Sequence, residues 1–164
     1  MRVCEAMVKV IGQVPSAVCV VVGEGRARTA IQARIKDLGL EDRVYFAGRL
    51  SDAELTWVYR KAGVLAMPST VEGFGLVYIE AMANRVPVVA GSLDAATDVV
   101  VDGSTGLLVD PLDVGAIARA VTLLLKDEAL RVKMGEAGYA RFKQEFTVEA
   151  MERRLLAVFE EMKP

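Results

Sequence analysis

The chain has 164 residues, with 20 Lys plus Arg against 22 Asp plus Glu, a net charge of −2, and 53% hydrophobic residues. That apolar content excludes a disordered chain, and the slightly acidic balance argues against a dedicated nucleic-acid or membrane-surface binder. There is no histidine, which excludes a Ser-His-Asp triad, a Cys-His pair and a His-based zinc site built from this chain, and leaves acid–base work to carboxylates, Lys, Tyr, backbone or substrate.

The segment 4–12 reads as the tail of a helix that enters the fold with no strand before it. A doubly wound domain usually opens on a strand, so the expectation is a chain cut from something longer. Residues 17–22 form the longest apolar run and stop at Gly23. The run is far short of the about 18 residues a membrane helix needs, and its lack of polar alternation suits a parallel strand covered on both faces. A helix follows over 29–38, with Ile31, Ile35 and Leu38 at helical spacing, then a strand over 44–47 closed by Gly48. Ser51 and Glu54 stand as a capping box, the serine accepting from the helix amide while the glutamate reaches back to the serine amide. The helix they open carries Leu55, Val58 and Tyr59 on one face, and at least one of Trp57 and Tyr59 is expected in the core, with stacking on a base as the alternative.

A strand over 64–67 stops at Pro68, a loop runs to Gly73, and a helix spans 74–83. A strand over 86–90, a short helix over 95–101 and a short strand over 107–109 come next. Helices over 113–125, 128–146 and 148–162 close the chain, with Asp113 and Thr147 as N-caps. In the last of them Met151, Leu155, Val158 and Met162 form an apolar stripe. The fold class is therefore α/β: a Rossmann-like doubly wound parallel sheet of five to six strands with C-terminal helices, in one domain over residues 1–164. Two cysteines, Cys4 and Cys19, have no metal-ligand spacing, and no apolar leader follows Met1-Arg2-Val3-Cys4. A cytoplasmic protein is expected.

In such sheets ligands bind beyond the carboxyl ends of the strands. Three segments lie there: Gly23-Glu24-Gly25, Gly48-Arg49-Leu50 and the stretch from Pro68 to Gly75. In the third, Gly73 and Gly75 stand between a strand end and a helix start, where backbone approaches a ligand closely and the amide-rich end of the helix suits a phosphate. Glu80 lies about 7.5 Å further along the helix axis, a spacing that fits a ribose beside a pyrophosphate. Glu72 precedes the helix, where a sugar bonded to that phosphate would sit. The plain alternative is that both glycines shape a turn and Glu80 is a solvated helix position. Gly23-Glu24-Gly25-Arg26-Ala27-Arg28 begins like a dinucleotide fingerprint. Arg28, however, occupies the place of the third glycine, and the next strand ends in Phe46-Ala47-Gly48 without the acid a dehydrogenase needs.

The E-x7-E pair Glu72 and Glu80 inside MPSTVEGFGLVYIEAMANRVPVVA resembles the C-terminal, donor-binding domain of retaining GT-B glycosyltransferases, in particular glycosyltransferase family 4. VVVGEG at 20–25, LGLEDRVYFAGRLSDAEL at 38–55 and VDGSTGLLVDPLD at 101–113 match in the family's order and extend the resemblance over nearly the whole chain. The resemblance implies transfer of a sugar from a nucleotide-diphosphate donor, UDP-, GDP- or ADP-linked, to an acceptor hydroxyl with retained anomeric configuration, and needs no metal or other cofactor. It implies that Glu72 is the catalytic glutamate beside the donor sugar. Gly73, Phe74, Gly75 and Leu76 then approach sugar hydroxyls and phosphate, and Glu80 holds the ribose. Gly23 and Gly25 turn beside the diphosphate, and Arg49 and Leu50 meet the nucleobase. An N-terminal acceptor domain, the Arg and Lys that neutralise the diphosphate, and any peripheral membrane contact would lie outside this chain. Departures from the pattern are Asp94-Ala95 in place of a Gly-Gly pair, and Arg85 where glycine is common. The alternative function is a non-catalytic nucleotide-binding or assembly module of the same fold.

Overall fold

The computed structural model describes residues 2–93 and 95–161; Asp94 and Met162 lie outside them. Its elements run α1 (Arg2–Gln13), β1 (Cys19–Val22), α2 (Arg28–Asp37), β2 (Val44–Gly48), α3 (Asp52–Lys61), β3 (Leu65–Met67), α4 (Leu76–Ala83), β4 (Val88–Gly91), α5 (Ala96–Val99), β5 (Gly106–Val109), α6 (Val114–Lys126), α7 (Glu128–Glu145) and α8 (Val148–Glu161). The element order is the predicted one, and every ladder between these strands is parallel.

The strands divide between two sheets, β1 with β2 and β3-β4-β5. Among the described residues no ladder joins β1 to β3, so the expected continuous sheet is interrupted there. The register of β1 on β2 shifts between Val21 and Val22, leaving Ala47 unopposed just before Gly48. An extra residue of this kind bends a strand and re-aims the loop it feeds, here the loop carrying Arg49 and Leu50.

β4 is the axis of the core, with Val88, Val89, Ala90 and Gly91 all buried. Side chains alternate across a strand. Val89 accordingly packs with Val10, Ile117 and Leu124 of α1 and α6, while Val88 and Ala90 pack with Tyr78, Met82 and Val99 of α4 and α5. Helical layers thus cover both faces, as an unbroken apolar strand requires. The predicted strand over 17–22 contracts to four residues, and Val18, Val20 and Val22 stay exposed. The covered-on-both-faces expectation therefore holds at β4 and fails at β1, where only Cys19 and Val21 turn toward the core.

α4 starts at Leu76, two residues later than predicted. Gly75 is its N-cap, at φ 84° and ψ 47°, a left-handed conformation that stops the helix from extending back to Phe74. At the other end Val86 N–H donates to Ala81 O at 2.9 Å and Arg85 N–H to Met82 O at 3.0 Å, the two bonds of a Schellman C-cap. The residue at the left-handed position is Arg85, with φ 58°. Its guanidinium lies 3.7 Å from the Tyr139 ring centroid and 2.9 Å from Glu136 Oε1, contacts with α7 that glycine lacks. Arg85→Ala keeps the backbone strain and loses both contacts, so it lowers stability by about 1–2 kcal/mol. Arg85→Gly relieves the strain as it loses them and stays within about 1 kcal/mol of the parent. Thermal denaturation of the two variants side by side checks this; equal losses would mean that the left-handed position costs nothing.

The capping box closes as predicted, with Ser51 N–H donating to Glu54 Oε2 at 2.8 Å and Glu54 N–H to Ser51 Oγ at 3.4 Å. The Ser51 hydroxyl, which donates to Glu54 Oε2 at 2.7 Å, and then the Ser51 N–H hold the Glu54 carboxyl below its ordinary range. Asp113 caps α6 through Ala116 N–H at 2.9 Å, and Thr147 accepts from Ala150 N–H at 3.2 Å at the head of α8. Among the α8 residues whose side chains are described only Ala150 is buried, and Met151, Leu155 and Val158 are exposed. Cys4 and Cys19 are both free. Burial pushes the Cys19 thiol up to about 11, so it stays protonated and unreactive near neutrality, as expected of a structural cysteine. No helix among the described residues is long and apolar enough to cross a membrane.

Candidate functional site

β3 ends at Met67, and the chain then has to turn and re-enter as α4. Tyr78, buried on α4, donates from its hydroxyl to Met67 O at 2.8 Å, which ties the helix to the end of the strand. Ser69 folds the first part of the loop: its N–H donates to Met67 O at 2.9 Å, its hydroxyl to Val71 O at 2.9 Å, and Val71 N–H donates back to Ser69 Oγ at 3.2 Å. Gly75 completes the turn. A Cβ there would lie 2.3 Å from Cδ2 of the Tyr78 ring, so glycine is required by space as well as by φ.

Glu72 turns back onto this helix mouth, its Oε1 accepting from Gly75 N–H at 3.2 Å. The carboxylate therefore caps α4 as well as standing beside it, a task the sequence did not assign. It also withdraws the Gly75 amide from any ligand. The N–H groups of Leu76 and Val77 point out of the first helical turn, where the helix has no acceptors for them. Gly73, Phe74 and Leu76 are exposed around this mouth. Phe74 rests edge-on against Phe146 of the α7 C-cap, with ring centroids 6.4 Å apart. The Arg141 guanidinium sits 5.4 Å from the Phe146 centroid and donates to Val99 O at 2.9 Å and Asp98 O at 2.8 Å. The end of α7 thus braces both the loop and the carboxyl end of α5. Sequence reasoning missed this brace, because residues more than 40 positions apart leave no periodic signal.

Glu80 is exposed, about one turn along α4 from Leu76. Its Oε2 accepts from the Tyr59 hydroxyl of α3 at 3.0 Å. Of the two aromatics on α3, Tyr59 is the buried one and Trp57 stands in solvent. Desolvation, then the Glu80 contact, push the Tyr59 hydroxyl far above its ordinary value, so it is always a donor near neutrality. A cavity of about 220 Å³ opens between α3 and α4, lined by Asp52, Leu55, Thr56, Tyr59, Glu80, Ala83 and Asn84.

The remaining predicted residues stand at the ends of β1 and β2. Gly23, at φ 102°, donates its N–H to Gly48 O at 2.7 Å, which joins the two strand ends. Gly25 follows, with no atom within 4 Å of a Cβ placed on it. Arg49 is exposed and lies 3.7 Å from Glu24 Oε2, while Leu50 is half-buried. Arg28 turns onto the Phe46 ring at 5.2 Å instead of reaching outward. The fold therefore gathers Glu72 through Leu76 with Glu80 at one helix mouth, and Gly23, Gly25, Arg49 and Leu50 at the carboxyl end of the neighbouring sheet. Among the described residues no cluster of His, Cys, Asp and Glu is arranged to hold a metal ion.

The sequence profile of the glycosyl transferases group 1 family matches residues 2–141, with this helix mouth inside the match. The chain belongs to that family. Among its glycosyl transferase relatives, a GDP-mannose-dependent alpha-(1-6)-phosphatidylinositol monomannoside mannosyltransferase of Mycolicibacterium smegmatis is 41% identical over 133 residues, covering 77% of this chain and 35% of that protein. The sucrose-phosphate synthase of Thermosynechococcus elongatus superposes with a TM-score of 0.85 at 32% identity, over 97% of this chain and 42% of that one. The C-terminal domain of the group 1 glycosyl transferase LpcC from Francisella tularensis superposes with a TM-score of 0.80 at 29% identity, over 90% of this chain and 78% of that domain. The α/β architecture is that of GT-B glycosyltransferases, and the chain spans well under half the length of the curated relatives it matches.

Proposed function

We propose that this chain is the donor-binding part of a retaining glycosyltransferase of family 4, which moves a sugar from a nucleoside-diphosphate donor to an acceptor hydroxyl. The observation that carries the reading is the α4 mouth: the first-turn amides of Leu76 and Val77, with one carboxylate before them at Glu72 and another beyond them at Glu80. A diphosphate meets the amides and the positive end of the helix dipole. Glu80 accepts from ribose hydroxyls, Arg49 and Leu50 border the base, and Gly23 and Gly25 let the backbone close on the phosphates. Glu72 and the backbone from Gly73 to Leu76 face the sugar.

In this reading the acceptor oxygen forms its bond to the anomeric carbon on the face from which the diphosphate leaves, and the acceptor proton passes to the leaving phosphate. Positive charge developing on the sugar ring is offset by Glu72, and negative charge on the leaving group by amides and basic side chains, so that no metal ion is needed. Acceptor recognition and further diphosphate contacts belong to an N-terminal domain of the full-length enzyme. We place the enzyme in the cytoplasm, where free thiols such as Cys4 and Cys19 persist.

Titration of the 164-residue chain with GDP, UDP and ADP, followed by amide chemical shifts, tests the assignment. The GDP-mannose dependence named for the 41%-identical relative makes GDP the first to try. Binding is expected in the range of about tens of micromolar to millimolar, with the largest shifts at Gly23, Leu76, Val77 and Glu80, and with no sugar transfer by the chain alone. Shifts that settle on another surface overturn the reading.

A further inference from the structure

Glu80 is a long, exposed side chain on a helix surface, and such a side chain ordinarily samples many rotamers. Here it does not move freely, because the Tyr59 hydroxyl holds its Oε2 at 3.0 Å. Tyr59 is itself only 8% exposed, packed in the cluster that includes Tyr78, Ala81 and Met82, so its ring cannot follow the carboxylate if that swings away. The hydroxyl has one proton and a second acceptor near it, Val77 O at 3.4 Å. The charged and nearer carboxylate is the stronger partner. The tyrosine engages Oε2, a carboxylate has a second oxygen that can accept, and Glu80 lines the cavity between α3 and α4.

We infer that Tyr59 is a positioning residue for the donor site: its buried hydroxyl fixes the Glu80 carboxylate so that the other oxygen is ready to accept from a ribose hydroxyl of the nucleotide. The inference rests on the proposed donor reading and adds to it a residue from a different helix. A surface carboxylate otherwise loses rotamer freedom when the ligand arrives; tethered to a rigid ring, it has lost that freedom already, and the gain appears as affinity for the nucleotide. The same hydrogen bond links α3, which follows β2 and the Arg49 loop, to α4, which carries the phosphate end of the site. Asp52 and Thr56 of α3 line the same cavity, so the ribose would contact both helices.

The test uses the whole chain, GDP (or whichever of UDP and ADP it binds more tightly) and the 2′,3′-dideoxy form of the same nucleotide. Tyr59→Phe preserves the ring and its packing and removes only the hydroxyl. It is expected to weaken ribonucleotide binding about five- to tenfold and to leave the dideoxynucleotide within about twofold, since that ligand has no hydroxyl for Glu80 to receive. In a Glu80→Ala background the Tyr59→Phe change is expected to have no further effect, because the two act as one unit. Equal losses on both nucleotides would assign Tyr59 a purely structural role and overturn the inference, as would additive losses in the double variant or unchanged or tighter ribonucleotide binding in Tyr59→Phe. If Glu80→Ala weakens ribonucleotide binding while Tyr59→Phe is silent, the donor reading survives and this inference fails. If Glu80→Ala is silent too, or the unmodified chain binds none of the three nucleotides, both fail.

Discussion

Gly91→Ala lowers the stability of this chain by about 2–4 kcal/mol and displaces the loop that leads to Glu72. Gly91 closes β4, the strand buried on both faces, and a Cβ built on it lies 2.1 Å from Ser69 O and 3.2 Å from Ser69 C. The obstacle is backbone, not the flexible end of a side chain, so relief requires moving the loop or the strand. Neither yields easily. Ser69 is bonded to Met67 and Val71, and Ser92, the next residue after Gly91, donates to Val109 O at 2.9 Å. Urea denaturation measures the loss, and shifted Ser69 and Glu72 amide resonances in the surviving folded fraction locate it. Gly12→Ala is the control: nothing lies within 4 Å of its Cβ, it sits in the last turn of α1, and alanine there stabilises by about 0.5–1 kcal/mol. A Gly91→Ala variant as stable as the parent would mean that the close approach of β4 to Ser69 is not a constraint of the fold.

The second large effect concerns turnover in the full-length transferase. In the proposed role of Glu72, Glu72→Gln is expected to lower kcat about a hundredfold or more with little change in nucleotide affinity, because a neutral amide would no longer offset charge on the sugar ring. The choice of glutamine matters. Its carbonyl oxygen still accepts from Gly75 N–H, the bond Glu72 makes at 3.2 Å, so the loop and the start of α4 persist. Glu72→Ala removes that cap as well and is expected to lose about 1 kcal/mol of stability on top of activity. Glu80→Ala, by contrast, acts on binding, with nucleotide affinity falling about tenfold and kcat changing less. Steady-state kinetics with nucleotide competition separates the two patterns. Equal, mild effects at both glutamates would refute the division of roles between them.

Much of this molecule is legible in its local sequence signals. Ser51 three residues before Glu54 forms the capping box it spells, and Asp113 and Thr147 cap the helices they precede. The order of strands and helices follows from alternating apolar runs and 3.6-residue stripes, each a property of a few neighbouring residues. Segment ends are less legible. Phe74 reads as helical by composition, yet the helix waits for Leu76, since the left-handed turn at Gly75 is set by the fit of that turn against Tyr78. Residues 17 and 18 read as strand, yet the ladder begins only at Cys19, opposite Val44.

The candidate site divides in the same way. Glu72, Gly75 and Glu80 announce themselves by spacing on one short helix and the loop before it, because they lie within nine residues of one another. Their partners do not: Tyr59 reaches Glu80 from another helix, and Phe146 braces Phe74 from the end of α7. Sequence pattern places at least one of Trp57 and Tyr59 in the core without choosing between them, and the choice falls to Tyr59 because its ring packs against α4 while its hydroxyl finds an acceptor there.

The sequence by itself determined the parallel α/β class, the succession of elements, the helix caps and the family to which the chain belongs. These depend on local propensity and on short motifs whose members are neighbours in the chain. Only the tertiary structure decided that the strands part into two sheets, that Glu72 turns inward to cap α4, that Arg85 occupies a left-handed position under Tyr139, and that Glu80 is held by a buried tyrosine. Each of these depends on which distant surfaces meet, and that is fixed by packing the whole chain at once, not by any window of it.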